Sequence, residues 1–195
     1  MIVYLHGLNS AGSSGKAAFL RQALPGIDVI SPTYPAHSAD LAVARLSDEL
    51  NRLLTERGRP DEPRLLVGSS MGGFYGAWLA ERLGFHHLLM INPALQPWQL
   101  LKQVVGWQLN EALNQGYFLS SRMVSDTRRY HTPVEALAVP TTVLVDKGDE
   151  LIDYRLAQEV YGDRVTMHCF EGGSHTFEHM QEAAAIIEQI HQSVL

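Results

Sequence analysis

The stretch LLVGSSMGG, residues 65–73, joins a short apolar run of β-forming residues to a segment of helical period. Within it, Gly68 to Gly72 match the G-x-S-x-G pattern, in which a strand turns sharply into a helix and a serine lies at the turn. Glycine at positions 68 and 72 allows that turn, because a side chain there would collide with neighbouring backbone. The alternative is a Gly/Ser-rich turn that only packs a helix on a strand. The flanking strand and helix favour a turn that exposes Ser70 at the carboxyl edge of a sheet.

Short apolar runs like the one before Gly68 recur along the chain. They are Ile2 to Leu5, Ile27 to Ser31, Leu65 to Gly68, Leu88 to Ile91, Thr141 to Val145 and Val165 to Phe170. Segments of helical period separate most of them: one opening at Ser13 or Ser14, one from Ser38 to Gly58, one from Met71 to Leu83 and one from Glu178 to Val194. Strands that are apolar on both faces and alternate with helices predict a parallel sheet covered on two sides. We therefore expect one α/β domain over residues 1–195.

The segment from Gln96 to Ala138 is far longer than a crossover of roughly a dozen residues. We interpret it as a cap-like insertion that begins with an amphipathic helix, whose apolar residues are Trp98, Leu100, Leu101, Val104, Val105 and Trp107. In that case Trp98, Leu101 and Val105 border a substrate pocket suited to an apolar acyl chain. The alternative is an ordinary packing helix followed by a disordered stretch over residues 114–129.

Two loops after predicted strands supply further candidates. His6-Gly7-Leu8-Asn9 follows the first strand, and we expect the backbone N–H groups of Leu8 and Met71 to form an oxyanion hole for a tetrahedral acyl intermediate. His6 itself is expected to shape the loop without titrating in catalysis. His175 follows the last strand in Gly172-Gly173-Ser174-His175, the place and chain order of a triad histidine. None of the other histidines after His6 lies in a comparable loop: His37, His86, His87, His131, His168, His179 and His191.

Three aspartates follow the strand Thr141 to Val145 and compete for the role of triad acid. The acid accepts the imidazole N–H and stabilises the imidazolium. Asp149, after the loop glycine, is the best placed. Asp146 is close to the strand end, and Asp153 is positioned to cap the next helix.

Two other motifs are weaker. His175 to His179 match the H-x-x-E-H pattern of some zinc peptidases, but the preceding glycines place His175 in a loop rather than in a helix. Gly12 to Ala17 resemble a phosphate loop, but the spacing is two residues short and Ala17 replaces the magnesium-binding hydroxyl. We therefore predict neither a metal nor a nucleotide or other cofactor.

Composition excludes several classes of protein. The net charge is −6 and no basic run occurs, whereas nucleic-acid binding depends on clustered Lys and Arg. The lone cysteine, Cys169, allows no internal disulfide, which is typical of a reduced compartment. The chain opens on a strand rather than a signal peptide, and no apolar run approaches the roughly 18 residues that span a membrane. We expect a cytoplasmic protein with neither nucleic acid nor membrane as partner.

Five stretches of the chain, in the same order, resemble the bacterial YqiA/YcfP-like esterases of the α/β-hydrolase superfamily. They are Tyr4 to Ser10, Val67 to Gly76, Ile91 to Ala94, Gly148 to Arg155 and Glu171 to His175. The resemblance implies a three-layer α/β-hydrolase fold with a minimal six-stranded parallel sheet, helices on both faces and a short cap. It also implies a triad of Ser70, His175 and Asp149. The chain departs from the commoner superfamily pattern, since Asp149 follows Gly148 directly instead of standing three residues after it.

The leading hypothesis is a cofactor-free serine hydrolase that cleaves carboxylic esters of short to medium acyl chains through an acyl-enzyme. One alternative is an acyl-CoA thioesterase with the same triad, since the resemblance also implies some thioester hydrolysis. Another is a hydrolase-like interaction module without turnover. The net charge of −6 offers no overall steering of a polyanionic acyl-CoA and favours neutral esters.

Overall fold

The computed structural model describes residues 1–57 and 61–194. Its strands are β1 Ile2–Leu5, β2 Val29–Ile30, β3 Leu65–Ser69, β4 His87–Ile91, β5 Gly106–Asn110, β6 Gln115–Leu119, β7 Thr141–Asp146 and β8 Thr166–Phe170. Six of them form a parallel sheet in the order β2-β1-β3-β4-β7-β8. The predicted fold class is thereby confirmed. Strand β2 is shorter than predicted, because the amide of Ile27 donates to Leu24 O in the preceding turn instead of joining the sheet.

The helices are α1 Gly15–Ala23, α2 Ala39–Arg57, α3 Met71–Arg82, α4 Pro97–Leu100, α5 Ser121–Asp126, α6 Tyr154–Tyr161 and α7 Met180–Ser193. Ser14 caps α1, since its hydroxyl accepts the amide of Ala17. The predicted end of α2 at Gly58 lies outside the described residues. Helix α7 begins two residues later than predicted, because the amide of Glu178 donates to the side chain of Asp146.

Two apolar cores lie on the two faces of the sheet. Alternation along β1 sends Ile2 and Tyr4 to one face and Val3 and Leu5 to the other. Helices α1 and α7 pack on the first face, and α2, α3 and α6 pack on the second. The sheet is therefore covered on both sides, and the carboxyl ends of its strands remain open at one edge.

The insertion between β4 and β7 differs from the prediction. The prediction of an amphipathic helix is wrong. Helix α4 ends at Leu100, a 3-10 turn covers Leu101–Val104, and β5 and β6 form an antiparallel hairpin. Val105 is extended and Gly106 has a φ of +133°, so the chain leaves helical geometry before Trp107. Residues 114–129, for which the alternative prediction was disorder, instead include β6, α5 and the start of a second 3-10 turn, Thr127–Tyr130.

None of the helices in residues 1–57 and 61–194 combines the length and apolar character needed to cross a membrane. The same residues bring together no cluster of three or more metal-ligating side chains.

Candidate active site

The turn between β3 and α3 presents Ser70 in a strained conformation. Its φ is +52° and its ψ is −118°, a region that residues with a side chain rarely adopt. The turn is tight on both sides: a Cβ at Gly68 would lie 2.3 Å from Gly72 O, and a Cβ at Gly72 would lie 2.1 Å from Leu5 O. Only glycine therefore allows the backbone contacts that hold Ser70 at the sheet edge.

His175 lies on the loop between β8 and α7 and reaches the serine. Its Nε2 is 3.2 Å from Ser70 Oγ. The two glycines before it have φ values of +70° at Gly172 and +72° at Gly173, which turn the loop back over the sheet edge. The amide of His175 donates to Glu150 Oε2 at 2.9 Å, so the backbone of the histidine is also tied to the neighbouring loop.

Asp149 is the aspartate that faces this histidine. Its Oδ2 is 2.9 Å from His175 Nδ1, and its side chain is only 2% exposed. The other oxygen, Oδ1, accepts the amides of Leu151 at 2.9 Å and Ile152 at 2.8 Å. A carboxylate only accepts hydrogen bonds, so the proton of a neutral His175 ring lies on Nδ1 and leaves Nε2 free to accept from Ser70.

The other two aspartates have different partners. Asp153 caps α6, since its Oδ1 accepts the amide of Arg155 at 2.9 Å. Asp146 is fully buried and its carboxylate accepts the amides of Ser174 at 3.2 Å and Glu178 at 2.8 Å. It also accepts from His179 Nδ1 at 2.7 Å. Asp146 thus holds both sides of His175 in place without touching its ring.

Asn92 is a second supporting residue that sequence reasoning did not single out. Its Oδ1 accepts the amide of Asp146 at 2.9 Å, and its Nδ2 donates to Ser174 O at 3.0 Å. Asn92 has a φ of +40° at the end of β4. The signal was present in the sequence, since a polar residue directly after an apolar strand lies at the functional edge of a parallel sheet.

The loop after β1 forms the other side of the site. Leu8 and Met71 line the same cavity as Ser70, and a Cβ at Gly7 would lie 3.3 Å from Ser70 Cβ. The structure therefore places the two predicted oxyanion-hole residues beside the serine.

The side chain of His6 contacts backbone groups in and beside that loop. It is buried, its Nε2 accepts the amide of Tyr34 at 3.3 Å, and its Nδ1 is 2.8 Å from Gly7 O. Burial lowers the pKa of His6, because desolvation disfavours the imidazolium, although the hydrogen bond to Gly7 acts in the opposite direction. Its contacts match the expected loop-shaping role.

A cavity of about 610 Å³ opens in front of Ser70 and His175. Its apolar wall consists of Leu100, Leu101, Val104 and Leu151. Of the residues predicted to border the pocket, Leu101 does so, whereas Trp98 and Val105 line a separate depression with Arg128. The predicted helix is replaced by a short helix and a 3-10 turn, and these two side chains are not among the residues that line the cavity at Ser70.

The two histidines of the H-x-x-E-H match belong to two separate histidine–aspartate pairs. His175 contacts Asp149, and His179 contacts Asp146. The two imidazoles thus have different carboxylate partners.

Solved structures with the same fold have low sequence identity to this chain. Est1E from Butyrivibrio proteoclasticus is 13% identical with a TM-score of 0.74, over 98% of this chain and 86% of that one. A monoacylglycerol lipase from Paleococcus ferrophilus is 18% identical with a TM-score of 0.70, over 98% and 93%. Mouse alpha/beta hydrolase domain-containing protein 10 is 16% identical with a TM-score of 0.69, over 100% and 90%. At these identities the likeness shows the fold alone, which is that of the α/β-hydrolases.

The sequence itself matches a family model over residues 1–192, nearly the whole chain. This match confirms the resemblance to the YqiA/YcfP-like esterases. The chain belongs to the family described as Uncharacterised protein family (UPF0227).

Proposed function

We propose that this protein is a serine hydrolase that cleaves carboxylic esters through an acyl-enzyme. One observation carries the proposal: a continuous chain of contacts joins Ser70 Oγ to His175 Nε2 at 3.2 Å, and His175 Nδ1 to Asp149 Oδ2 at 2.9 Å. The three groups come from three different post-strand segments, and a buried carboxylate at the end of this chain orients the imidazole as a base. The monoacylglycerol lipase among the structural neighbours supports the same reaction class.

In the first half of the reaction, Ser70 Oγ attacks the ester carbonyl carbon while His175 Nε2 takes its proton. Asp149 stabilises the resulting imidazolium. The tetrahedral intermediate then collapses, the bond to the alcohol breaks, and His175 protonates the leaving alkoxide. An acyl group remains bound to Ser70.

In the second half, water attacks the acyl-enzyme. His175 takes a proton from the water and returns it to Ser70 as the carboxylic acid is released. The amides of Leu8 and Met71 are the proposed donors to the oxyanion in both halves, since both residues line the cavity at Ser70.

The apolar wall of the cavity is the proposed site for the acyl chain. Leu101 is the buried residue of this wall, and Leu100, Val104 and Leu151 complete it. Its volume of about 610 Å³ is within the range of small-molecule sites. Short to medium acyl chains are therefore the proposed substrates.

Replacing Ser70 tests the proposal. The Ser70→Ala variant should lose p-nitrophenyl acetate hydrolysis by a factor on the order of 10⁶, because the triad acts as a unit. Ser193→Ala is a matched control, since Ser193 is exposed near the end of α7 and its hydroxyl donates to Ile190 O. If Ser70→Ala keeps more than a small fraction of the wild-type rate, the proposal is wrong.

A further inference from the structure

The phosphate-loop-like stretch from Gly12 to Ala17 lies beside the catalytic cavity. Ser14, Gly15 and Lys16 line the same cavity as Ser70 and His175. The sequence pattern did not support a nucleotide, but its lysine lies in the cavity of the proposed active site.

Lys16 differs in charge from the other side chains that line this cavity. Among the described residues that line it, Lys16 is the one lysine or arginine, and none is an aspartate or glutamate. Lys16 is half-buried and forms no ion pair or side-chain hydrogen bond within residues 1–57 and 61–194. The other two lysines do have partners: Lys102 Nζ donates to Gln99, and Lys147 pairs with Glu171.

The ammonium of Lys16 is partly withdrawn from water. Burial lowers the pKa of Lys16 because desolvation disfavours its charge, while the negative charge of Asp146 acts in the opposite direction. The carboxylate of Asp146 already accepts hydrogen bonds from His179, Ser174 and Glu178, so these groups rather than Lys16 are its hydrogen-bond partners. An anion in the cavity would replace the hydration that the lysine has lost.

The cavity also has neutral hydrogen-bonding groups. Ser10, Ser14 and Thr176 line the cavity, and the hydroxyl of Thr176 is 2.8 Å from Ser174 Oγ. The apolar wall, in contrast, comes from the insertion and from Leu151. Lys16 and these three hydroxyl residues therefore come from segments outside the insertion, whereas the insertion supplies the apolar residues Leu100, Leu101 and Val104.

We propose that Lys16 determines substrate specificity by binding one anionic group, a carboxylate or a phosphoryl group, borne by the ester that Ser70 cleaves. This inference rests on the proposed function and names the substrate class. It also modifies the expectation from net charge, since the charge of −6 is a property of the whole chain and Lys16 acts locally. A single ammonium matches a substrate with one anionic group rather than a polyanion.

Two pairs of substrates test the proposal and separate the two sources of the anion. Mono-p-nitrophenyl adipate and p-nitrophenyl hexanoate differ by a carboxylate on the acyl chain. Hexanoyl glycerol phosphate and hexanoyl glycerol differ by a phosphoryl group on the alcohol. For at least one pair, the anionic member should have the higher kcat/KM, by about 10- to 100-fold, as a charged hydrogen bond provides.

Variants of Lys16 should remove that preference selectively. Lys16→Gln should reduce the ratio of kcat/KM for the anionic member to kcat/KM for the neutral member to about 1, and Lys16→Glu should reverse the preference. Lys102→Gln is the matched control, because Lys102 is exposed and lies outside the catalytic cavity. Absence of a preference in both pairs, or an equal loss on both members in Lys16→Gln, would overturn the proposal.

A neutral fluorophosphonate keeps the two proposals distinguishable. If it labels Ser70 and neutral esters are cleaved but no anionic preference exists, only the role of Lys16 is wrong. If Ser70 is not labelled in the wild-type protein, the proposed function has failed. Unchanged labelling of Lys16→Gln shows that this variant is folded. A loss of its preference for the anionic ester is then due to the missing ammonium.

Discussion

Two histidine–aspartate pairs lie side by side where β7 and β8 end and their following loops begin. His175 contacts Asp149 at 2.9 Å, and His179 contacts Asp146 at 2.7 Å. Both imidazoles use Nδ1, and both carboxylates are buried, with Asp149 2% and Asp146 0% exposed at the side chain. By distance and burial alone, the two pairs are nearly equivalent.

The pairs differ in what the rest of each histidine contacts. His175 presents Nε2 to Ser70, whereas the ring of His179 stacks on Phe170 with centroids 4.7 Å apart. Asp146 also accepts amides on both sides of His175, including that of Ser174. We infer that the first pair performs chemistry and that the second positions the loop that bears it.

Replacing each histidine gives the largest expected contrast. His175→Gln should lower kcat for p-nitrophenyl acetate by a factor on the order of 10⁶, because the base of the triad is lost. His179→Gln should lower it by less than about tenfold, since Nε2 of His175 still reaches Ser70. Steady-state kinetics on both variants check this, and equal losses would show that the two pairs do not have different roles.

Replacing the acid of the first pair should have a smaller effect. In Asp149→Asn, the amide cannot hold the imidazole in the same tautomer or stabilise the imidazolium, so kcat should fall by a factor on the order of 10⁴. Asp153→Asn is a matched control on the same loop, because asparagine also caps helices. Full activity in Asp149→Asn would move the role of triad acid to another residue.

Replacing the acid of the second pair should mainly affect stability. Asp146→Asn weakens charge-assisted hydrogen bonds from His179, Ser174 and Glu178, and should lower the free energy of unfolding by about 3 kcal/mol. Urea unfolding measures this loss, with Asp153→Asn again as the control. If Asp146→Asn is as stable as the wild-type protein but has lost kcat as fully as Asp149→Asn, Asp146 belongs to the chemistry instead.

Two adjacent glycines in the loop before His175 provide a further test of the positioning role of Asp146. Both have positive φ, +70° at Gly172 and +72° at Gly173, so alanine costs roughly 1 kcal/mol of conformational energy at either position. At Gly173 the new Cβ would lie 1.9 Å from Asp146 Oδ2, whereas at Gly172 it would meet no other described residue within 4 Å. Gly173→Ala should therefore be less stable than Gly172→Ala by about 2 kcal/mol in urea unfolding. Equal stabilities would mean that Asp146 does not fix this loop.

Much of the site could be predicted because its signals are local. The turn at Ser70 needs glycines at fixed positions between a strand and a helix, and the sequence displays all of these together. The choice between Asp146 and Asp149 was harder, since it depends on how two loops pack. Gly148 donates its amide to Gly172 O at 2.7 Å, and no pattern within either loop reveals that contact.

The insertion was predicted poorly for a different physical reason. Apolar residues usually indicate a buried face, but Trp107 is 78% exposed, and Leu109 and Phe118 are 52% and 50% exposed. Trp107 and Phe118 pair across the hairpin with their rings edge to face. The apolar character of Trp107 therefore extended the predicted amphipathic helix into a segment where the chain forms an exposed hairpin.

Covalent labelling by a fluorophosphonate tests the central claim most directly, because the probe reacts with a serine only when a base activates it. Intact-mass and peptide mass spectrometry should find one adduct per chain of the wild-type protein, located on Ser70. Labelling should be lost in His175→Gln and retained in His179→Gln. An unlabelled wild-type protein, an adduct at another serine, or equal labelling of the two histidine variants would contradict the account.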